Sequence, residues 1–172
     1  MMKLIKLVSA AVFVALVAGC AAPADPEAMK PTTVTQMKTK AAYRSAIQVT
    51  SVEGGKQTNP AWISNISNDD FKLALEDTLE SIGYHSKTGK LQLNVKLVSV
   101  EQPLVGFNLT VTTVVEYNLV RSDGRSVFRK TITAPYTAAF SESALAVTRL
   151  KKANEGSVRA NIEAFITALN AS

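Results

Sequence analysis

Few architectures can satisfy residues 91–136. Leu91, Leu93, Val95 and Leu97 alternate with Gln92, Asn94 and Lys96, the period of a strand with one buried face. Pro103–Gly106 then turns the chain. Phe107, Leu109, Val111, Val115, Tyr117 and Leu119 line one side of a longer strand, and Asn108, Thr110, Thr112, Glu116 and Asn118 line the other. Ser122-Asp123-Gly124-Arg125 predicts a type I′ hairpin, because Asp-Gly suits the positive φ angles of that turn. Val127–Tyr136 completes the meander. Pro135 lacks an N–H for the ladder and places the end of this strand at a sheet edge or a break. A meander with one apolar face has to be covered by something.

Two helical stripes supply the cover. Phe71, Leu75, Leu79 and Ile82 recur at spacings of three and four behind Ser67, Asn68, Asp69 and Asp70, which offer an N-cap and negative charge for the first turn. The adjacent carboxylates Asp69 and Asp70 point apart on a helix and read as capping. Gly83 suits the left-handed residue after the helix. Glu76, Asp77 and Glu80 face water. The second stripe is Val147, Leu150, Asn154, Val158, Ile162, Phe165 and Leu169. Asn154 is a polar member of it, and Gly156 costs about 1 kcal/mol against alanine inside a helix. Together they predict a kink over Asn154–Ser157.

Tyr43–Val52 alternates as a first strand, broken at Glu53-Gly54-Gly55-Lys56. The order β-α-β-β-β-α predicts an α+β two-layer sandwich, a mainly antiparallel four-stranded sheet with two helices on one face. Residues 21–40 hold three prolines and no apolar periodicity, and read as a disordered tether. Such a tether would span about 25 Å on average if flexible and about 70 Å fully extended. The expected organisation is a signal peptide over 1–19, a lipidated cysteine and tether over 20–41, and a single α+β domain over 42–172.

Composition narrows the chemistry. Cys20 is the only cysteine and His85 the only histidine. The folded part therefore has no disulfide, thiolate cluster or two-histidine metal site. No metal or cofactor is expected. Without residues 1–19 the chain has 17 basic and 14 acidic residues, dispersed rather than striped, so nucleic acid is not expected as a partner. Gly54-Gly55-Lys56 and Thr88-Gly89-Lys90 lack the phosphate-loop spacing, and no G-x-S-x-G elbow is present. His85, just past a helix end, reads as solvated. No catalytic residue stands out, and the expectation is that the protein is not an enzyme.

The N-terminus carries the sharpest motif. Lys3 and Lys6 precede an apolar run from Leu7 to Val17, of secretory-signal length and too short to span a bilayer comfortably. Val17-Ala18-Gly19-Cys20 resembles the bacterial lipobox. That resemblance implies cleavage before Cys20, a diacylated thiol and an acylated amino group; several acyl chains hold a protein to a membrane stably where one does not. In that family an aspartate after the cysteine favours the inner membrane. Ala21 and Ala22 stand here, which implies the periplasmic face of the outer membrane.

Three further segments, TNPAWISNISNDDF, EQPLVGFNLTVT and RLKKANEGSVRANI, resemble small uncharacterised proteobacterial lipoproteins. Relatives of this kind are sometimes identified as UDP-N-acetylglucosamine acyltransferases, a family of left-handed β-helices built on hexapeptide repeats. No such repeat is present, and that activity is not expected. The element order is similar to that of the lipopolysaccharide-assembly lipoprotein, which implies an outer-membrane or envelope protein as partner. Trp62 beside Pro60, in a polar loop, is either a partner contact or a plug for one end of the sheet. Asn154, Glu155, Arg159 and Asn161 form a polar cluster on the last helix; the expected role is structural, Asn154 bonding a neighbouring loop or strand end and Glu155 pairing with Arg159, with a ligand site at Asn154 as the alternative. The expected function is a non-enzymatic binding or assembly module of the cell envelope. The alternatives are a lipid or glycolipid carrier and an enzyme acting on envelope polysaccharide.

Overall fold

The computed structural model describes residues 21–60 and 63–172. Four strands, β1 (Ile47–Glu53), β2 (Leu91–Glu101), β3 (Leu109–Arg121) and β4 (Ser126–Ala138), form one sheet in the order β1-β2-β3-β4. β1 runs parallel to β2, and the other two pairs are antiparallel. Between β1 and β2 lies α2 (Asn68–Ser81), the kind of crossover that parallel neighbours need. A second long helix, α3 (Ala146–Ala171), follows β4. The fold is the expected α+β arrangement with a mostly antiparallel sheet. β4 is an edge strand, and the exposed Pro135 sits opposite Thr112 near its end.

Both helices cover the same face. Phe71, Leu75 and Leu79 of α2 and Val158, Ile162 and Phe165 of α3 share one buried cluster with Leu93, Val95, Leu97, Val115, Tyr117 and Leu119 of the sheet. Ser67 caps α2: its hydroxyl accepts the Asp70 N–H at 3.0 Å and donates to the Asp70 carboxylate at 2.6 Å. Gly83 follows the helix with φ +71°, open to glycine at no steric cost.

Three expectations change. The hairpin between β3 and β4 is not type I′. Gly124 has φ +83°, but Asp123 is not in the positive-φ region. The Gly124 N–H donates to the Arg121 carbonyl, and the Arg121 N–H to that of Arg125. This is a three-residue loop in which an ordinary turn ends on one left-handed glycine. Asp123 stays in the common region and accepts the Arg125 N–H at 3.0 Å.

The helix α3 runs without interruption through Asn154–Ser157. Gly156 is there for space: a Cβ would lie 2.2–2.5 Å from ring atoms of Tyr136. The glycine lets an edge-strand tyrosine press directly on the helix backbone.

The disordered tether is corrected most fully. Within residues 21–40 a short helix α1 (Pro26–Met29) lies against both α2 and α3. Ala24, Met29 and Val34 are buried in the main core. Thr33 Oγ1 donates to Glu163 at 2.6 Å, and Lys30 reaches Asp77 at 3.3 Å. The Lys30 ammonium is raised in pKa chiefly by its hydrogen bond to Glu27. Prolines and small polar residues set the average composition, but two well-spaced apolar side chains, Met29 and Val34, suffice to seat the segment between the helices. The domain therefore includes Ala21 and does not begin at residue 42.

Candidate functional site

A polar layer crosses the core. Period-2 alternation points Thr113 inward between Val111 and Val115, and all three are fully buried. On α3, Asn154, Ser157 and Asn161 follow helical spacing on the buried face. Ser157 Oγ accepts the Thr113 N–H at 2.9 Å and lies 2.7 Å from the Ala134 carbonyl, its acceptor. It thus bridges two residues paired across β3 and β4. The Thr113 hydroxyl donates to the Ser157 carbonyl at 3.3 Å. Asn161 Nδ2 donates to the Ile132 carbonyl at 3.0 Å, and its Oδ1 accepts the Tyr117 hydroxyl at 2.9 Å. Burial raises the Tyr117 pKa well above its ordinary value. Beyond this layer a small second core of Leu109, Val111, Ala138, Leu150 and Ala153 completes the sheet end. Thr113 is a residue that the sequence reading passed over, although strict alternation marks it.

The predicted polar cluster on α3 separates into different contacts. Asn154 is fully buried; Nδ2 donates to the Ser64 carbonyl and Oδ1 accepts from Gln102, both at 2.8 Å. It joins a loop to the end of β2. Glu155 and Arg159 do not pair with each other. Glu155 accepts the Asp25 N–H at 2.9 Å and meets Lys151 at 3.5 Å. Arg159 donates to the Ala28 carbonyl at 2.7 Å and stacks 5.6 Å over the Tyr136 ring. Both hold α1, a segment read as disordered, which is why the sequence offered only each other as partners. His85 sits near Glu76 at 3.8 Å with its side chain largely covered.

The two ends of the sheet differ in chemistry. At one end the chain leaves β1, β2 and β4 and enters β3, α2 and α3. Here Leu104 is 91% exposed, Val105 87% and Phe107 80%, with Phe140 and Leu145 half exposed. Phe107 meets Phe140 edge-on at 5.9 Å. Arg149, almost wholly buried, donates to the carbonyls of Ser143 at 2.6 Å, Ala144 at 2.9 Å and Gly106 at 3.3 Å. Its guanidinium lies 4.9 Å over Phe140 and ties the two loops together. Pro60 is exposed at this end too, and its carbonyl accepts the Ala21 N–H at 2.8 Å. Cys20 and Trp62 lie outside the described residues.

At the other end, Ile47, Leu91 and Arg121 stand side by side, and α3 finishes beside them through Tyr84, whose hydroxyl donates to Asn170 at 2.6 Å. A cavity of about 500 Å³ opens here, with Tyr43, Leu91 and Val127 as apolar walls and Lys90 and Arg121 on its lining. Both cations are exposed. This pocket was missed because its parts come from four separated stretches; the clue was a pair of cations at the ends of adjacent strands.

No protein-family model and no curated protein matches the chain. Among solved structures, it resembles protein XCC0632 from Xanthomonas campestris, of the DUF330 family. The TM-score is 0.56 at 12% identity, over 88% of this chain and 93% of that one. A minor lipoprotein from Acinetobacter baumannii matches at TM-score 0.47 and 11% identity, over 60% of this chain and 84% of that one. The first likeness is one of fold.

Proposed function

We propose that this chain is a lipid-anchored module on the periplasmic face of the bacterial outer membrane that works by binding an acidic partner. Cys20 carries the anchor, in the lipobox Val17-Ala18-Gly19-Cys20. The observation that carries the reading is the Ala21–Pro60 hydrogen bond at 2.8 Å. It fastens the residue after the anchor to one end of the sheet and leaves the Lys90–Arg121 pocket free at the other. A pocket of about 500 Å³ with apolar walls and two cations suits a carboxylate-bearing side chain or another anionic group. The partner is an envelope protein, and no cofactor takes part.

Two observations favour binding over the alternatives. The hydroxyls and amides that catalysis would recruit, on Thr113, Ser157 and Asn161, are bonded to one another and to backbone inside the core. The space a carried lipid would need between the layers is filled where Tyr117 stacks on Phe165 at 4.1 Å.

Palmitate labelling and membrane fractionation test the anchor, with a photo-crosslinking residue at Val127 testing the pocket in the same cells. Label and membrane residence should both be lost in Cys20→Ser. The Val127 adduct should disappear in Lys90→Glu/Arg121→Glu. An unlabelled wild-type protein sinks the anchor, and an adduct indifferent to charge reversal sinks the acidic partner.

A further inference from the structure

We propose that the apolar end of the sheet is a membrane-insertion surface, in which Leu104, Val105 and Phe107, flanked by Phe140 and Leu145, seat in the hydrocarbon boundary of the bilayer that holds the anchor. This rests on the anchoring reading above. The first argument is placement. The Ala21 N–H to Pro60 bond fixes where the chain comes from Cys20, and that point lies at the same end of the sheet as the exposed apolar loops. Ala24 repeats the tie, its N–H donating to the Asn65 carbonyl at 3.4 Å. With no slack between anchor and domain, this end is the one the bilayer meets.

The second argument is chemistry. Residues 102–108 contain no charged side chain, and three large apolar side chains in that short run are turned to solvent. Clustered exposure of this kind marks an interaction surface, whereas scattered exposed leucines do not. Gln102 anchors the base of the loop on the Ser64 carbonyl at 3.0 Å, and Arg149 clamps its far side. The side chains are therefore presented on a fixed frame. A loop that dips only into the headgroup–acyl boundary keeps its polar backbone within reach of water. Since the loop has no cation, seating is apolar and independent of anionic lipid and salt.

A single experiment separates this inference from the reading beneath it. Cys20 is the only cysteine, and lipidation consumes its thiol, so a cysteine introduced elsewhere labels alone. The mature lipoprotein carrying Leu104→Cys, Val105→Cys or, as a control at the distal hairpin, Arg125→Cys is labelled with an environment-sensitive fluorophore. It is reconstituted in phosphatidylcholine vesicles, with and without phosphatidylglycerol. Positions 104 and 105 should emit to the blue, with several-fold stronger quenching by brominated lipid than by aqueous iodide; position 125 should show the reverse, and neither should depend on phosphatidylglycerol. Iodide-quenched fluorophores at 104 and 105 on a protein that stays membrane-bound would overturn the insertion and leave the anchor standing. Protection from both quenchers, with crosslinking between copies through position 104, would overturn it in favour of a copy–copy interface. Labelling of the wild-type protein itself would mean a free Cys20 thiol and remove both proposals.

Discussion

Replacing a helical glycine by alanine ordinarily stabilises a helix by about 1 kcal/mol; at Gly156 the sign should reverse. A Cβ there would stand 2.2 Å from Cδ1 and 2.3 Å from Cγ of Tyr136, more than an ångström inside van der Waals contact. Cγ is close to the root of the side chain, so the ring cannot swing clear without moving its strand. That strand is held opposite Val111 at this position, and Arg159 lies over the ring. Overpacking of this kind costs about 1–3 kcal/mol, enough to offset the propensity gain. Gly156→Ala alone should therefore fail to stabilise the protein and should lower stability by up to about 2 kcal/mol in urea titrations monitored by circular dichroism. In a Tyr136→Ala background the ring is absent, and the same change should raise stability by about 1 kcal/mol. The resulting coupling of about 1–3 kcal/mol lies in the range seen for residues in contact. A Gly156→Ala protein more stable than wild type, or a cycle that closes additively, would refute the claim that this glycine exists for the tyrosine.

Three other outcomes follow from the same packing. Ser157→Ala leaves the Thr113 N–H and Ala134 carbonyl without their bridging hydroxyl and should cost about 1–3 kcal/mol in the urea midpoint, whereas Ser141→Ala on the exposed turn should change little. Met29→Ala empties a fully buried site in the N-terminal segment and should cost about 2–5 kcal/mol; a disordered segment would give no change. Tyr117, whose pKa burial raises well above the usual value near 10, keeps its proton in the folded state while the unfolded chain loses it. Its contribution is therefore whole below pH 10 and falls as pH rises from there towards the folded pKa, by up to about 1.4 kcal/mol per unit. Urea midpoints from pH 8 to 11 should fall more steeply for wild type than for Tyr117→Phe.

What was legible in the chain was what periodicity dictates. The stripes Phe71–Leu79 and Val158–Leu169, and the alternation through β2 and β3, are long enough that burial of one face leaves a single arrangement. The hairpin was placed correctly but assigned the wrong turn, because Asp-Gly serves either turn and only the φ of Asp123 distinguishes them. Residues 21–40 failed for another reason. Composition averages over a segment, whereas Met29 and Val34 act one at a time, in a groove that exists only once α2 and α3 have been brought together. Glu155 and Arg159 show the same dependence. Their i, i+4 spacing suggested a pair worth a few tenths of a kcal/mol, but folding supplied backbone partners on the N-terminal segment. The distal pocket could not be read at all, since Tyr43, Lys90, Arg121 and Val127 are neighbours only through the sheet register.

The polar layer also explains how the two ends of the sheet are kept in fixed relation. An apolar stripe alone would tolerate small sliding of α3 along the sheet, because leucine and valine contacts are interchangeable at modest cost. Ser157 and Asn161 are not interchangeable. Ser157 must find the Thr113 N–H and the Ala134 carbonyl, and Asn161 must find Tyr117 and the Ile132 carbonyl. Moving the helix by one residue would bury these groups unbonded, at roughly 1–3 kcal/mol each. A satisfied buried network therefore fixes the register in a way that hydrophobic packing does not. That register sets where Arg149, at the first turn of α3, meets Gly106, and where Asn170, at its last, meets Tyr84. The same helix thus holds the apolar loops at one end and, at the other, Tyr84, which packs edge-on at 5.6 Å against the pocket-wall residue Tyr43. β3 alone, with 13 residues, separates them by about 40 Å. Breaking the layer should loosen both ends together, which neither a local loop substitution nor a change in the main core would do.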